Sequence, residues 1–370
     1  MGRARGSKKD STRSPVITTI IATIIVLGVL IFVHELGHFL VAKKLKVSVL
    51  TFSLGFGPKL FGKKIGETMY QISLVPLGGY VKMVGEEAGE KISPEMMAKS
   101  FAVQPVSKRL GIVFAGPFFN FLFAVVAFAA VLMVGMPTLL PEIGEVKPDF
   151  PAYQAGIVKG DRIVEANGTP IHRWEDLAKI IHDSGEKRLA LKLERAHETF
   201  QVNVTPKITN QKNIFGDEVR VGLIGVSPSG NYFIERFDPF TATYRAVTQS
   251  WQIVELTVIS IVKIIEGKIS AKTIGGPILI AQLAGQQAKA GVPSLVIFMA
   301  VISINLVILN LLPIPVVDGW HILLFLIEGA IRKPISVKIR ERAQQIGIFI
   351  IILIMLLVFY NDLSRIMGVQ

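Results

Sequence analysis

His34, Glu35 and His38 form a His-Glu-x-x-His run inside the stretch LGVLIFVHELGHFLVAKKL, residues 27 to 45, which otherwise reads as membrane. On a helix, imidazoles at i and i+4 stand on one face and reach a single ion, while the glutamate between them reaches a water in the ion's open position. This is the pattern of a zinc hydrolase, with Glu35 as the catalytic base. Ionisable groups at the centre of a bilayer cost at least about 2.5 kcal/mol each on insertion scales, so three together need a compensating partner. Two histidines leave a catalytic zinc one protein ligand short, and the expected cofactor is Zn2+. The stretch NLVILNLLPIPVVDGWHIL, residues 305 to 323, offers Asp318 as the third ligand. Pro313, Pro315 and Gly319 break the helix around it, and irregular backbone at membrane depth is tolerated where it lines a cavity. Two alternatives stand beside this one. Asp318 could cap the helix that starts after the break, or His321 could be the ligand instead.

The elements that must position these groups are apolar helices. Of 370 residues, 51% are hydrophobic, and the mean hydropathy of +0.51 is that of a membrane protein. Four apolar spans are expected, at about Val16 to Val41, Leu110 to Met136, Val292 to Leu312 and Ile346 to Tyr360, the last being the shortest. Cysteine is absent, which excludes disulfides and thiolate metal sites. The net charge of +12 is dispersed and lacks any groove or motif for nucleic acid, so no nucleic-acid partner is expected. Lysines and arginines concentrate between spans one and two and between spans three and four, which places both loops in the cytoplasm and both termini outside. The basic tail, with Arg3, Arg5, Lys8, Lys9 and Arg13, argues the other way and is overruled by parity. GFGPKLFG has glycines but neither a preceding strand nor a following phosphate-binding helix, so it is not a nucleotide loop.

Between spans two and three the pattern changes to short alternating strands. PAYQAGIVKGDRIVEANGTPI, residues 151 to 171, reads as a short helix, a Lys-Gly-Asp turn, a strand and an Asn-Gly hairpin turn. WEDLAKIIHDSG follows as an amphipathic helix, then two more strands around His197. This resembles a PDZ domain, which implies capture of an extended peptide or a C-terminus by strand addition. The expected organisation is a basic tail at 1–15, a first membrane half at 16–136 and a PDZ domain at 137–206. A connector with an amphipathic membrane-surface segment follows at 207–290, then a second membrane half at 291–370.

HELGH, NLLPIPVVDG, YQISLVPLGGYVKM and GPFFNFLFA together resemble the site-2 protease family of intramembrane zinc metalloproteases, in the bacterial branch represented by the regulator of sigma-E protease. The resemblance runs from about residue 17 to 366. It implies a polytopic α-helical membrane protein with about four spans, a membrane-associated β-hairpin and one extracytoplasmic β-rich PDZ domain. It also implies hydrolysis of peptide bonds within or near the transmembrane helix of a single-pass substrate, such as an anti-sigma factor or a remnant signal peptide. The location implied is the bacterial inner membrane, with the active site toward the cytoplasm. Asn310, beside the Pro313-x-Pro315 segment, would clamp the substrate backbone, and the strand carrying Gly78 and Gly79 would pair with it. Gly78 and Gly79 read equally well as a turn, and Asn120 equally well as an interhelical hydrogen-bonding residue. Two departures are visible: room for one PDZ domain where several relatives have two, and Trp320 where a second glycine is usual. A silent PDZ scaffold and a metal transporter are the rival functions. The first has no need of Glu35 between imidazoles, and the second usually shows repeated halves.

Overall fold

The computed structural model describes residues 15–86, 92–213, 215–333 and 335–368. The basic tail up to residue 14 and residues 87–91 of the loop between spans one and two lie outside the described residues. In chain order, α1 (Pro15–Lys44) leads to strands β1 (Val49–Ile65) and β2 (Thr68–Met83), the single turn α2 (Pro94–Met97) and α3 (Val106–Val134). There follow β3 (Met136–Leu139), β4 (Ile143–Val146), α4 (Pro151–Gln154), β5 (Arg162–Ala166), β6 (Thr169–Pro170) and α5 (Trp174–Ser184). Next come β7 (Leu189–Arg195), β8 (Glu198–Val204), β9 (Lys207–Lys212), β10 (Glu218–Leu223), β11 (Val226–Pro228) and β12 (Tyr232–Glu235). The chain closes with α6 (Pro239–Ile265), α7 (Pro277–Ala290), α8 (Val292–Leu311), α9 (Asp318–Ile331) and α10 (Val337–Ile366).

Four described helices, α1, α3, α8 and α10, are long and apolar enough to cross a membrane. The chain is a polytopic helical membrane protein. The sequence makes the fourth span the shortest, but α10 has 30 residues. A hydropathy window sees only the apolar run, whereas Lys338, Arg340 and Arg342 continue the same helix ahead of it. The helices belong to a membrane unit made of Met1–Ala129, Thr243–Ile261 and Ser270–Gln370. Pro117 sits inside α3; prolines are tolerated in membrane helices where neighbouring groups can satisfy the freed backbone.

In the β1/β2 pair, residues 51 to 54 have partners on both sides, Met69–Ile72 on one and Gly79–Lys82 on the other. The two long strands therefore fold over into a small curled sheet. Its turn, at Gly66 with φ +62°, is tied to the end of α1 through Glu67. That carboxylate accepts from Lys43 Nζ and Ser48 Oγ, both at 3.0 Å. The Lys43 hydrogen bond holds the Glu67 carboxyl below its ordinary range. The stabilisation is therefore complete above the unfolded pKa and is lost as pH falls through the depressed one. Acidification is expected to lower the protection factors at this turn, after correction for the pH dependence of intrinsic exchange, in the wild type but not in Glu67→Gln.

The second unit comprises Ala130–Ala242 with Val262–Ile269. Its main sheet has the order β6-β5-β7-β8. Leu177 and Ile181 on α5 pack with Ile163, Leu191 and Leu193 in its core. Asn167 at φ +49° and Gly168 at φ +81° make the expected tight turn. The module was expected to close at 206, yet β11 pairs with β4 and β12 with β3. The return path is thus part of the domain. These strands have three or four residues each, too few for alternation to show in a sequence. Asp161, fully buried, accepts from Val158 N–H at 2.9 Å and from two nitrogens of Arg195 at 2.6 and 2.8 Å. Asp161→Ala leaves the Val158 amide and the Arg195 guanidinium without this partner. Hydrogen exchange in the intact chain should rise across residues 156 to 163 and stay unchanged in the membrane unit.

Candidate metal centre in the membrane unit

α1 holds His34 and His38 one turn apart, with ring centroids 4.8 Å apart and planes at 84°. Their Nε2 atoms are 3.2 Å apart. Asp318, the first residue of α9, brings Oδ2 to 3.1 Å from His34 Nε2 and 3.5 Å from His38 Nε2. Among the described residues this is the only converging group of metal-ligating side chains, and His321 lies outside it. His321 instead has its ring 6.3 Å from that of Phe325.

The chemistry of this donor set fits a zinc ion. Around tetrahedral zinc with bonds of about 2.0–2.1 Å, neighbouring ligand atoms stand roughly 3.3 Å apart, close to the three separations here. Asp318 Oδ2 is buried and has no hydrogen-bond donor placed on it. Each imidazole is also held from behind, as metal-binding histidines usually are. His38 Nδ1 donates to the Ile112 carbonyl at 2.8 Å, which leaves Nε2 with its lone pair. His34 Nδ1 lies 3.4 Å from the side-chain amide of Asn120. Asn120 is fully buried, and its Oδ1 has no partner as the amide is placed. Amide oxygen and nitrogen are interchangeable in assignment. Turning the amide lets His34 Nδ1–H donate to Oδ1, which satisfies the oxygen and frees the second Nε2.

The backbone around these groups is closely packed. A Cβ on Gly116 of α3 would stand 2.3 Å from His38 Nε2 and 2.7 Å from His34 Cε1. A Cβ on Gly37 of α1 would stand 2.4 Å from the Ala115 carbonyl oxygen, so α1 and α3 approach through small residues. On α9, Gly319 faces the Leu312 carbonyl oxygen, 2.3 Å from where its Cβ would be. The bend before it passes through Val316 at φ +98°, a strained conformation for a β-branched residue. Pro313 and Pro315 lie in this bend, and Pro315 packs on Gly347 of α10. Asn310 is half-buried in the last turn of α8.

Glu35 is half-buried beside the curled sheet. A Cβ on Gly79 would stand 3.1 Å from the Glu35 Cγ. Gly78 and Gly79 both lie in β2, with neither among the positive-φ glycines, so they do not form a turn. Close approach is what excludes larger residues. A Cβ on Gly78 would overlap the Phe56 ring, and one on Gly79 would meet the Ser53 carbonyl oxygen at 2.9 Å. The Ile112 carbonyl, Gly116 and Gly347 escape a reading of the sequence. The only available signal was Gly116 and Asn120 at i and i+4 on one apolar span.

Comparison with known proteins agrees over nearly the whole chain. A protein of Campylobacter jejuni named as a zinc metalloprotease is 37% identical over 348 residues, covering 94% of each chain. Protease RseP of Yersinia pestis is 31% identical, covering 95% of this chain and 99% of its own. That alignment has 452 positions, more than this chain has residues, so the Yersinia protein carries inserted length. Among solved structures, the PDZ domain of an SdrC-like protein of Listeria monocytogenes is 20% identical. It covers 24% of this chain and 84% of its own, with a TM-score of 0.19. Residues 22–354, which include all three converging side chains, match the peptidase family M50, and the chain belongs to that family.

Proposed function

We propose that this chain is an intramembrane zinc endopeptidase of the site-2 type. It hydrolyses a peptide bond in or near the transmembrane helix of a single-pass protein, such as an anti-sigma factor or a remnant signal peptide. The observation that carries this is the convergence of His34 and His38, on the membrane-spanning helix α1 beside Glu35, with Asp318 at the start of α9. His34, His38 and Asp318 hold the ion. Zn2+ supplies Lewis acidity to water and to the scissile carbonyl. Glu35 takes the proton of the attacking water and returns it to the leaving amine. A helix cannot be cut while its amides are bonded within it, so the substrate must unwind and find other partners. The β2 segment with Gly78 and Gly79 offers them by strand addition, and Asn310 with the Pro313–Pro315 bend steadies the extended chain. Glu35 lies nine residues before Lys44, about 14 Å of helix, and Lys43 and Lys44 mark the cytoplasmic end by the positive-inside rule. The site therefore opens toward the cytoplasm of a bacterial inner membrane, with the β-rich module outside as a PDZ domain for a peptide or C-terminus.

The test is cleavage of a single-span reporter with a trimmed ectodomain by the purified chain, with fragments mapped by mass spectrometry. Chelation should abolish cutting, and Zn2+ should restore it. Cutting that survives metal removal, or fragments that end far from the span, would overturn the proposal.

A further inference from the structure

Glu328 is a carboxylate in the apolar helix α9, only 4% exposed, at the end remote from Asp318. Its Oε2 accepts from Arg109 Nη2 at 2.8 Å, and its Oε1 accepts from the Ile335 N–H at 3.1 Å and from the Arg340 guanidinium. Arg109 belongs to the first turn of α3, and its guanidinium lies 4.5 Å over the Phe325 ring. Arg340 belongs to the first turn of α10. One buried anion therefore joins three helices. A buried ion pair is a poor source of net stability, because desolvation offsets the attraction, and its better attested use is to fix one register among several.

α9 is a helix whose register needs fixing. It begins after a proline-broken bend, and Val317, the residue just before it, provides no side-chain cap. That end is located by close packing, Gly319 against the Leu312 carbonyl oxygen and Pro315 against Gly347, with no side-chain cap to add a directional hydrogen bond. Arg109, Ile112 and Gly116 are spaced i, i+3 and i+7 on α3, so they share one face. That face gives the carbonyl that holds His38 and the close approach to both imidazoles. The Arg109–Glu328 bond thus references α9 to the same surface of α3 that positions the histidines. We infer that Glu328 is a positioning residue for Asp318: with Arg109 and Arg340 it sets the rotation and height of α9, and so the distance from Asp318 Oδ2 to the two imidazoles. About 15 Å of rigid helix separates the two carboxylates, and a metal site tolerates only about 0.5 Å of error.

This rests on the zinc reading above, and the test separates the two. Zn2+ affinity of the full chain in detergent is measured by chelator competition for the wild type, Glu328→Gln, Arg109→Lys and Asp362→Asn. Asp362 is the control, a buried carboxylate of α10 that accepts from the N–H groups of Gly276, Ile278 and Leu279 at the start of α7. Glu328→Gln should weaken Zn2+ binding about tenfold or more, the size found for outer partners of metal ligands. Arg109→Lys, which keeps the charge but loses the planar fork, should give a smaller loss in the same direction. Asp362→Asn should lower thermal stability and leave the affinity unchanged. Wild-type affinity in Glu328→Gln, or an equal loss in Asp362→Asn, would overturn the inference while leaving the zinc site standing. If Glu328→Gln does not fold, unchanged affinity in Arg109→Lys overturns it equally. A wild type that binds no Zn2+ would remove the metal site and this inference with it.

Discussion

Glu35→Gln is expected to lower the cleavage rate by about a hundred- to ten-thousandfold, the contribution of a positioned general acid and base, while zinc content and affinity stay at the wild-type level. Glutamine has the same shape, so it keeps the fit beside Gly79. What it cannot do is take a proton. Glu35 is not one of the three converging side chains, so removing its charge leaves the proposed ligand set whole. The two readings of this residue therefore separate cleanly. Zinc analysis and single-turnover cleavage of the reporter on the same preparations decide the matter. A variant that still cuts would show that the proton is handled elsewhere, and one that loses its zinc would show Glu35 to be part of the ligand set.

Much of this site is legible in the sequence, because its parts break a strong rule. His34, Glu35 and His38 stand out against an apolar span, and Asp318 against a second one, since ionisable groups at that depth are costly. The four apolar helices are legible for the same reason. What orients the ligands is not. The Ile112 carbonyl that holds His38 is backbone and carries no letter of its own. Asn120 carries a letter, but a lone asparagine in a span has an ordinary use as an interhelical hydrogen bond. Its place behind His34 depends on how α3 is rotated against α1, which no single-span pattern records. Gly78 and Gly79 were legible only as an even choice between strand and turn. Turn chemistry is the common use of paired glycines, whereas here they sit in an extended strand against Phe56 and Glu35. The module boundary was misjudged because β11 and β12 acquire their meaning only by pairing with β4 and β3.

Gly116 gives the second large effect. Gly116→Ala should weaken zinc binding by about tenfold to a hundredfold, the equivalent of the roughly 1–3 kcal/mol that overpacking a tight core costs. The added methyl would fall 2.3 Å from His38 Nε2 and 2.6 Å from His38 Cε1, the edge of the ring that faces Asp318. A surface imidazole would rotate away at small cost. His38 is tied at Nδ1 to the Ile112 carbonyl on the same helix as the intruding methyl, so relief must come from breaking that bond or from parting α1 and α3. Either movement takes Nε2 out of the converging set. Gly111→Ala is the control, since it adds a methyl to the same helix where nothing lies within 4 Å. It should leave affinity unchanged and, by helix propensity, stabilise slightly. If both alanines bind zinc as the wild type does, the imidazoles have freedom that this packing denies them, and α3 is not what holds them in place. If Gly116→Ala alone loses the metal with helicity unchanged, the glycine is there to give the imidazoles room, and its lack of a side chain is part of the site.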